Sequence, residues 1–318
     1  MRVVVTGGAG FIGANLVQRM SASSAFERIC VFDDLSAGDG DRLAGLDDVD
    51  LVDGSILDPD ALAHATSGAG AVVHLAALVS VPESVSDPVR YHDVNVTGTL
   101  RVLEAARAVN AHTIVASSAA VYGTAPPLPT PETAASAPQS VYASSKLAAE
   151  AHAFAYAGAY DLPVLVLRFF NVFGPLQDAH HSYAAAIPAF IAGALDRRPL
   201  TIHGDGRQSR DMVSVNRVVT VLTDAVQRRV THDRPVNLAG GVNRTLLDII
   251  AGLEAAIGRP VERHHTPPRA GDVRHSHADI TLLRRLFPDL PPQDFASDLS
   301  ATVEWSQRRH TASTGNEV

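Results

Sequence analysis

Tyr142 and Lys146 stand four residues apart in a segment that reads as helix from about 139 to 157, so both side chains project from one helical face. A tyrosine resists ionisation at neutral pH, because its ordinary pKa is near ~10. A lysine ammonium close by stabilises the phenolate, which turns the pair into an acid–base device. Ser118, at the end of the apolar run 113–117, is placed to hydrogen-bond the substrate oxygen that loses or gains a proton. Such a trio suits proton exchange at an alcohol carbon. A tyrosine and lysine at this spacing are common in helices, so the elements that would position them carry the argument.

The decisive element is the N-terminal stretch 3–13, VVVTGGAGFIG. Val3, Val4, Val5 and Thr6 read as a buried strand, and Phe11 opens an amphipathic helix. Gly7 permits the tight turn, Gly10 lets the backbone approach a pyrophosphate, and Gly13 allows helix and strand to pack closely, with Phe11 and Ile12 on the first helical turn. Unpaired N–H groups and the helix dipole then favour the negative charge. A second apolar run, 29–32, ends in Asp33 about twenty residues further on, where a carboxylate accepts hydrogen bonds from the adenosine ribose and repels a 2′-phosphate. The dinucleotide expected is therefore NAD. With it, the Ser118, Tyr142 and Lys146 trio describes hydride transfer at a carbinol carbon.

Short apolar runs at 3–6, 29–32, 49–52, 71–75, 113–117 and 164–168 alternate with helical patterns. This predicts an α/β fold of the Rossmann type, a doubly wound parallel sheet with ligands at the carboxyl ends of the strands. After the third run, Asp53 and Ile56 are placed for the adenine, although a helix-capping turn explains Asp53 equally well. After the fourth, Leu75, Ala76 and Ala77 are small enough to let a cofactor pass, and His74 reads as a core histidine. Segment 82–110 is long and helical in pattern, with a proline at Pro88 and a glycine at Gly98, and contains Asn95; Ser117 precedes Ser118 at the fifth strand end. Residues 200–216 look like strand, turn and strand. The tail after Trp305 is polar, and residues 311–318 are expected to be disordered. The division expected is a NAD-binding domain over 1–170, rejoined by part of 212–238, and a smaller C-terminal α/β substrate lobe over 171–318, interleaved with it.

Composition sets outer limits. The chain has 318 residues, 46% of them apolar, enough for a substantial core. A net charge of −8 without a basic stripe argues against nucleic acid as a partner. The single cysteine, Cys30, excludes an internal disulfide. No apolar run approaches the ~18 residues that span a bilayer, and no signal peptide is evident, so a cytoplasmic protein without membrane association is expected. Adjacent histidines at 180–181 and 264–265 lack carboxylate or cysteine partners at ligand spacing, so no metal is expected.

The motifs TGGAGFIG (6–13), HLAA (74–77), SSAAVYG (117–123), YASSK (142–146), RFFNVFGP (168–175), GDGRQSRD (204–211) and RAGD (269–272) occur in the order found in the extended short-chain dehydrogenase/reductase family. The chain resembles in particular its nucleotide-sugar 4-epimerases, isomerases of carbohydrate metabolism. That resemblance implies retained NAD, Tyr142 as the base at the C4 hydroxyl, Ser118 on O4, and Lys146 on the cofactor ribose. It implies Asn171, Arg210 and Arg269 at the pyrophosphate of a UDP-sugar, with Asp272 at the uridine ribose. Ser80, Val81, Ala185 and Ser276 are then expected at the sugar, where a serine at 276 leaves room for an acetamido group, as for UDP-GlcNAc or UDP-GalNAc.

Family members acting on uronic acids place an arginine shortly after the GlyPro pair, where this chain has Asp178; His180 and His181 compensate only in part. Leu176 also departs from the family pattern. Its 4,6-dehydratases carry Asp and Glu where this chain has Ala119 and Ala120. A non-catalytic NAD-binding protein would need no Tyr142, Lys146 and Ser118 together. The resemblance also implies a homodimer through alanine- and leucine-rich helices at 82–109 and 139–157, which simple packing on the sheet would equally explain.

Overall fold

The computed structural model of the protein describes residues 1–178, 186–268 and 273–315. In chain order the elements are β1 (Arg2–Thr6), α1 (Phe11–Ser21), β2 (Arg28–Asp33), β3 (Val49–Asp53), α2 (Pro59–Thr66), β4 (Ala71–His74), α3 (Val81–Ser86), α4 (Pro88–His92), α5 (Gly98–Ala108), β5 (His112–Ser118), α6 (Val141–Tyr160), β6 (Val164–Phe169) and β7 (Asn171–Phe173). There follow α7 (Ala186–Leu195), β8 (Leu200–His203), β9 (Ser209–Ser214), α8 (Val215–Arg228), β10 (Val236–Leu238), β11 (Asn243–Thr245), α9 (Leu246–Ile257), β12 (Arg263–Thr266), α10 (Thr281–Leu286) and α11 (Phe295–Gly315).

Seven strands form one sheet in the order β10-β6-β5-β4-β1-β2-β3, all parallel. The order reverses direction at β1 and β4, the switch point at which a ligand crevice opens beyond the strand ends. Val3, Val4 and Val5 are fully buried, as a strand covered on both faces requires. β10 returns to this sheet beside β6, with Val236 opposite Leu167.

The long helical stretch expected over 82–110 is broken. Pro88 has no N–H and cannot continue α3, so the chain stops at Asp87, whose carboxylate caps α4 through the Arg90 N–H. A single π turn, Asp93–Thr97, then separates α4 from α5. The strand, turn and strand expected at 200–216 are present as β8 and β9, which do not pair with each other: β8 pairs with β12, and β9 lies between β7 and β11. Leu200 and Ile202 join a second core with Phe190, Ile250 and Leu253; β9 straddles the two cores, with Met212 in the second and Val213 in the main one.

The C-terminal tail departs from its expectation too. Helix α11 continues past Trp305 to Gly315, because Phe295, Leu299 and Val303 bury one of its stripes against the second core.

Candidate active site

A cavity of about 770 Å³ opens at the carboxyl end of the main sheet. Its floor is the glycine turn. Gly7 has φ +72°, and a Cβ there would stand 2.5 Å from the Ala76 nitrogen. A Cβ on Gly13 would stand 2.1 Å from the Gly7 carbonyl oxygen, so only hydrogen fits between turn and helix. No side chain caps α1 at Gly10, which leaves its first N–H groups facing the cavity.

Of the residues expected at a cofactor, Gly7, Gly10, Phe11, Ile12, Gly13, Asp33, Ile56, Leu75, Ala76, Ala77, Ser117, Tyr142 and Lys146 line this one cavity, together with Ser118, expected at the substrate oxygen. The Asp33 carboxylate accepts from Ala9 N at 2.9 Å and Leu35 N at 3.0 Å, which aims it across the turn. Burial pushes its pKa up, and those two bonds pull it back. Asp53 is exposed at the end of β3 and lies outside the lining, where its neighbours Gly54 and Ser55 stand instead.

Asn95 is buried behind the wall. The π turn points it inward, where it accepts from Leu78 N at 2.9 Å and donates to Leu78 O at 2.9 Å and to Ser145 Oγ at 3.0 Å. It thus ties the chain after β4 to α6. His74 is likewise internal, between the hydroxyls of Thr6 at 2.7 Å and Thr99 at 3.0 Å. Burial first, then the Lys146 ammonium, push its imidazole down to about 3, so it stays neutral.

The three chemistry-bearing groups converge. Lys146 Nζ donates to the Ala116 carbonyl at 3.0 Å. Burial pulls its pKa down to about 8, while Glu150 pulls it up. The Tyr142 phenol faces the Ser118 hydroxyl, which pulls its pKa down, and that hydroxyl accepts from Ala120 N at 3.2 Å. The sequence predicts a phenol of lowered pKa. In the protein alone burial pushes it up, and the Ser118 hydroxyl only partly reverses this. The site therefore needs further positive charge before the phenol becomes a good base.

The residues expected at the sugar nucleotide are less gathered. Ser80 caps α3 through the Glu83 N–H at 3.2 Å, and Val81 is largely exposed; both follow Val79 of the cavity wall. Asn171 donates to the Asp211 carbonyl at 3.2 Å, beside Val172 of the wall. Arg210, on β9, donates to Ser209 O at 3.0 Å, and Ser276 N donates to the same carbonyl at 3.0 Å. The Asp211 carboxylate does not act as a local ion pair with Arg210. It accepts from Gly240 N, Gly241 N and Ala278 N at 2.9–3.1 Å, and burial pushes its pKa up to about 6. Ala185, Arg269 and Asp272, with His180 and His181, lie outside the described residues.

Sequence reasoning missed the segment Asp34, Ser36, Ala37 and Gly38, the mouth residues Asp87, Val89, Arg90 and Asp93, and Phe169, Phe170 and Val172. The first and last groups directly follow strands β2 and β6, so the strand-end rule could have found them. The mouth residues depend on the broken helix, for which Pro88 was the available signal.

A glycine turn at a parallel switch point, facing a tyrosine–lysine pair, defines the extended short-chain dehydrogenase/reductase class. Residues 3–239 match the profile of the NAD dependent epimerase/dehydratase family, and the chain belongs to it, with NAD as its cofactor. It is 36% identical to the UDP-glucose 4-epimerase of Mycolicibacterium smegmatis over 97% of this chain and 99% of that protein. The UDP-N-acetylglucosamine 4-epimerase of Methanobrevibacter ruminantium, solved with UDP-N-acetylmuramic acid, superposes with a TM-score of 0.92 at 32% identity, covering 97% of this chain and 98% of that one. The UDP-glucuronic acid 4-epimerase of Bacillus cereus, solved with UDP-glucuronic acid and NAD, does so with a TM-score of 0.88 at 26% identity, covering 97% and 100%. Among the described residues no helix is long and apolar enough to cross a membrane, and no group of three or more potential metal ligands occurs.

Proposed function

We propose that this chain is a UDP-sugar 4-epimerase that inverts C4 of a UDP-hexose through a 4-keto sugar and accepts N-acetylated hexosamines. The observation that carries the reading is the convergence of Ser118, Tyr142 and Lys146 on the cavity that the glycine turn floors. Bound NAD supplies the reversible oxidation at C4. Tyr142 takes the C4 hydroxyl proton and later returns it. Ser118 holds O4 during both transfers, and its bond to Ala120 N fixes the direction in which the hydroxyl points. Lys146, anchored on Ala116, grips the cofactor ribose and holds positive charge beneath the phenol.

Asn171, Arg210, Arg269 and Asp272 are assigned to the nucleotide, and Ser80, Val81, Ala185 and Ser276 to the sugar. Arg210 and Ser276 meet at the Ser209 carbonyl, which supports a shared wall for both parts of the substrate. Ala119 and Ala120 supply neither the acid nor the base that elimination across C5 and C6 requires, which favours epimerisation over dehydration. Asp178 after the GlyPro pair disfavours a uronate, which leaves UDP-glucuronate 4-epimerisation as the second reading. A cytoplasmic homodimer formed through α5 and α6 belongs to the same proposal, and light scattering of the purified protein tests the dimer.

The test is a proton NMR time course of the protein with UDP-N-acetylglucosamine, with and without added NAD. A new anomeric signal of the galacto epimer rising to a constant ratio is expected. Turnover of UDP-glucose alone would remove the acetamido assignment, and turnover of UDP-glucuronate alone would establish the second reading.

A further inference from the structure

The end of β5 and one stripe of α6 are joined at three successive helical turns. Ser118 meets Tyr142, the Ala116 carbonyl meets Lys146, and the Ser117 hydroxyl donates to Glu150. Tyr142, Lys146 and Glu150 recur at intervals of four residues, so each rung sits one turn below the last. The third rung is the most enclosed. Glu150 is 3% exposed, and its carboxylate also accepts from Arg168 Nε at 2.8 Å and Nη2 at 2.7 Å. Arg168 comes from β6 and lies 4.6 Å from the centre of the Tyr122 ring. Nothing in the proton transfers described above uses Glu150 or Arg168. As a contribution to stability alone such a pair is poorly justified, since desolvating two charges offsets most of their attraction.

We propose that Glu150, clamped by Arg168 and Ser117, is a positioning residue that sets the rotation of α6 aiming Tyr142 and Lys146 and holds a carboxylate one helical turn below the lysine. This rests on the reading of Tyr142 and Lys146 as the acid–base pair. Of the groups around Lys146, His74 on β4 is neutral and Tyr142 on α6 is a phenol. Arg168 on β6 faces Glu150 and the ring of Tyr122, from the turn after β5. Glu150 is thus the charge that opposes the burial of Lys146, and without it the lysine sheds its proton more readily.

The test compares E150Q, E150D, R168Q and the double variant E150Q/R168Q as NAD-loaded protein. The readout is the pH dependence of turnover, in particular the alkaline limb on which Lys146 loses its proton. E150Q is expected to move that limb to lower pH and to lower turnover about tenfold at neutral pH, with recovery as pH falls. E150D retains the charge and restores the profile. R168Q moves the limb the opposite way. Should the single variants fail to fold, the double variant leaves no uncompensated buried charge and is expected to show a smaller downward displacement. A limb unmoved by E150Q, or unmoved in the double variant, with turnover reduced equally at every pH, would overturn the proposal. Full turnover by Y142F would instead overturn the acid–base reading itself, so the two failures are distinct.

Discussion

Lys146 Nζ donates to the carbonyl of Ala116 at 3.0 Å. The bond crosses from α6 to the last turn of β5, and it fixes a buried ammonium one helical turn below the Tyr142 phenol. A flexible four-carbon side chain is thereby held at one point, which is what a charge acting on a neighbouring group requires. The cost is visible in the lysine itself, which burial pulls down to about 8.

Tyr142→Phe keeps the ring and removes the proton carrier. Turnover of the nucleotide sugar is expected to fall by about 10²–10⁴-fold while the folded structure is retained. Initial rates and circular dichroism of the same preparations check this, and a rate within severalfold of the parent would discard Tyr142 as the base.

Gly13→Ala drives a methyl into the Gly7 carbonyl, 2.1 Å from where its Cβ would lie. Backbone stands on both sides, so the turn itself must move, at a cost of about 1–3 kcal/mol. NAD affinity measured by calorimetry is expected to drop more than stability does, since the displaced turn is the cavity floor. Unaltered affinity would show that the turn does not hold the cofactor.

Asn95→Ala leaves the Leu78 N–H and carbonyl without their partner inside the wall. Urea denaturation is expected to show a loss on the order of 1–3 kcal/mol. Looser NAD binding should accompany it, because Leu78 lines the cavity. A stability loss with unchanged binding would make Asn95 a packing residue alone.

Asp211 predicts a particular pH dependence. Burial raises its pKa from an ordinary 3.8 to about 6 in the folded protein. Between those values the native state binds more protons than the unfolded chain, so this residue lowers stability as pH rises from about 4 to 6 and has a constant effect above. D211N should abolish that slope, and it should cost stability at all pH values because an amide cannot accept from Gly240, Gly241 and Ala278 together. Melting temperatures across this range, parent against variant, decide it.

Much of the molecule was legible in the sequence because the signals were local. A β-branched run, glycines at fixed offsets and an acidic residue at the second strand end need only their neighbours to be read, and they led to the parallel sheet and the residues Gly7, Gly13 and Asp33. The four-residue spacing of Tyr142 and Lys146 is equally local, since one helix face suffices. What the tertiary structure alone decided has no such local mark. The break at Pro88 is a local mark, but the π turn at Asp93–Thr97, which swings Asn95 inward, depends on what Leu78 and α6 offer to bond. The separation of β8 from β9 depends on partners distant in sequence, β12 for the one and β7 with β11 for the other. Nothing near Asp211 in the chain marks the three backbone N–H groups, of Gly240, Gly241 and Ala278, that converge on its carboxylate. The charge state of Lys146, His74 and Tyr142 follows from burial, which is a sum over the whole fold and is written in no single stretch of the chain.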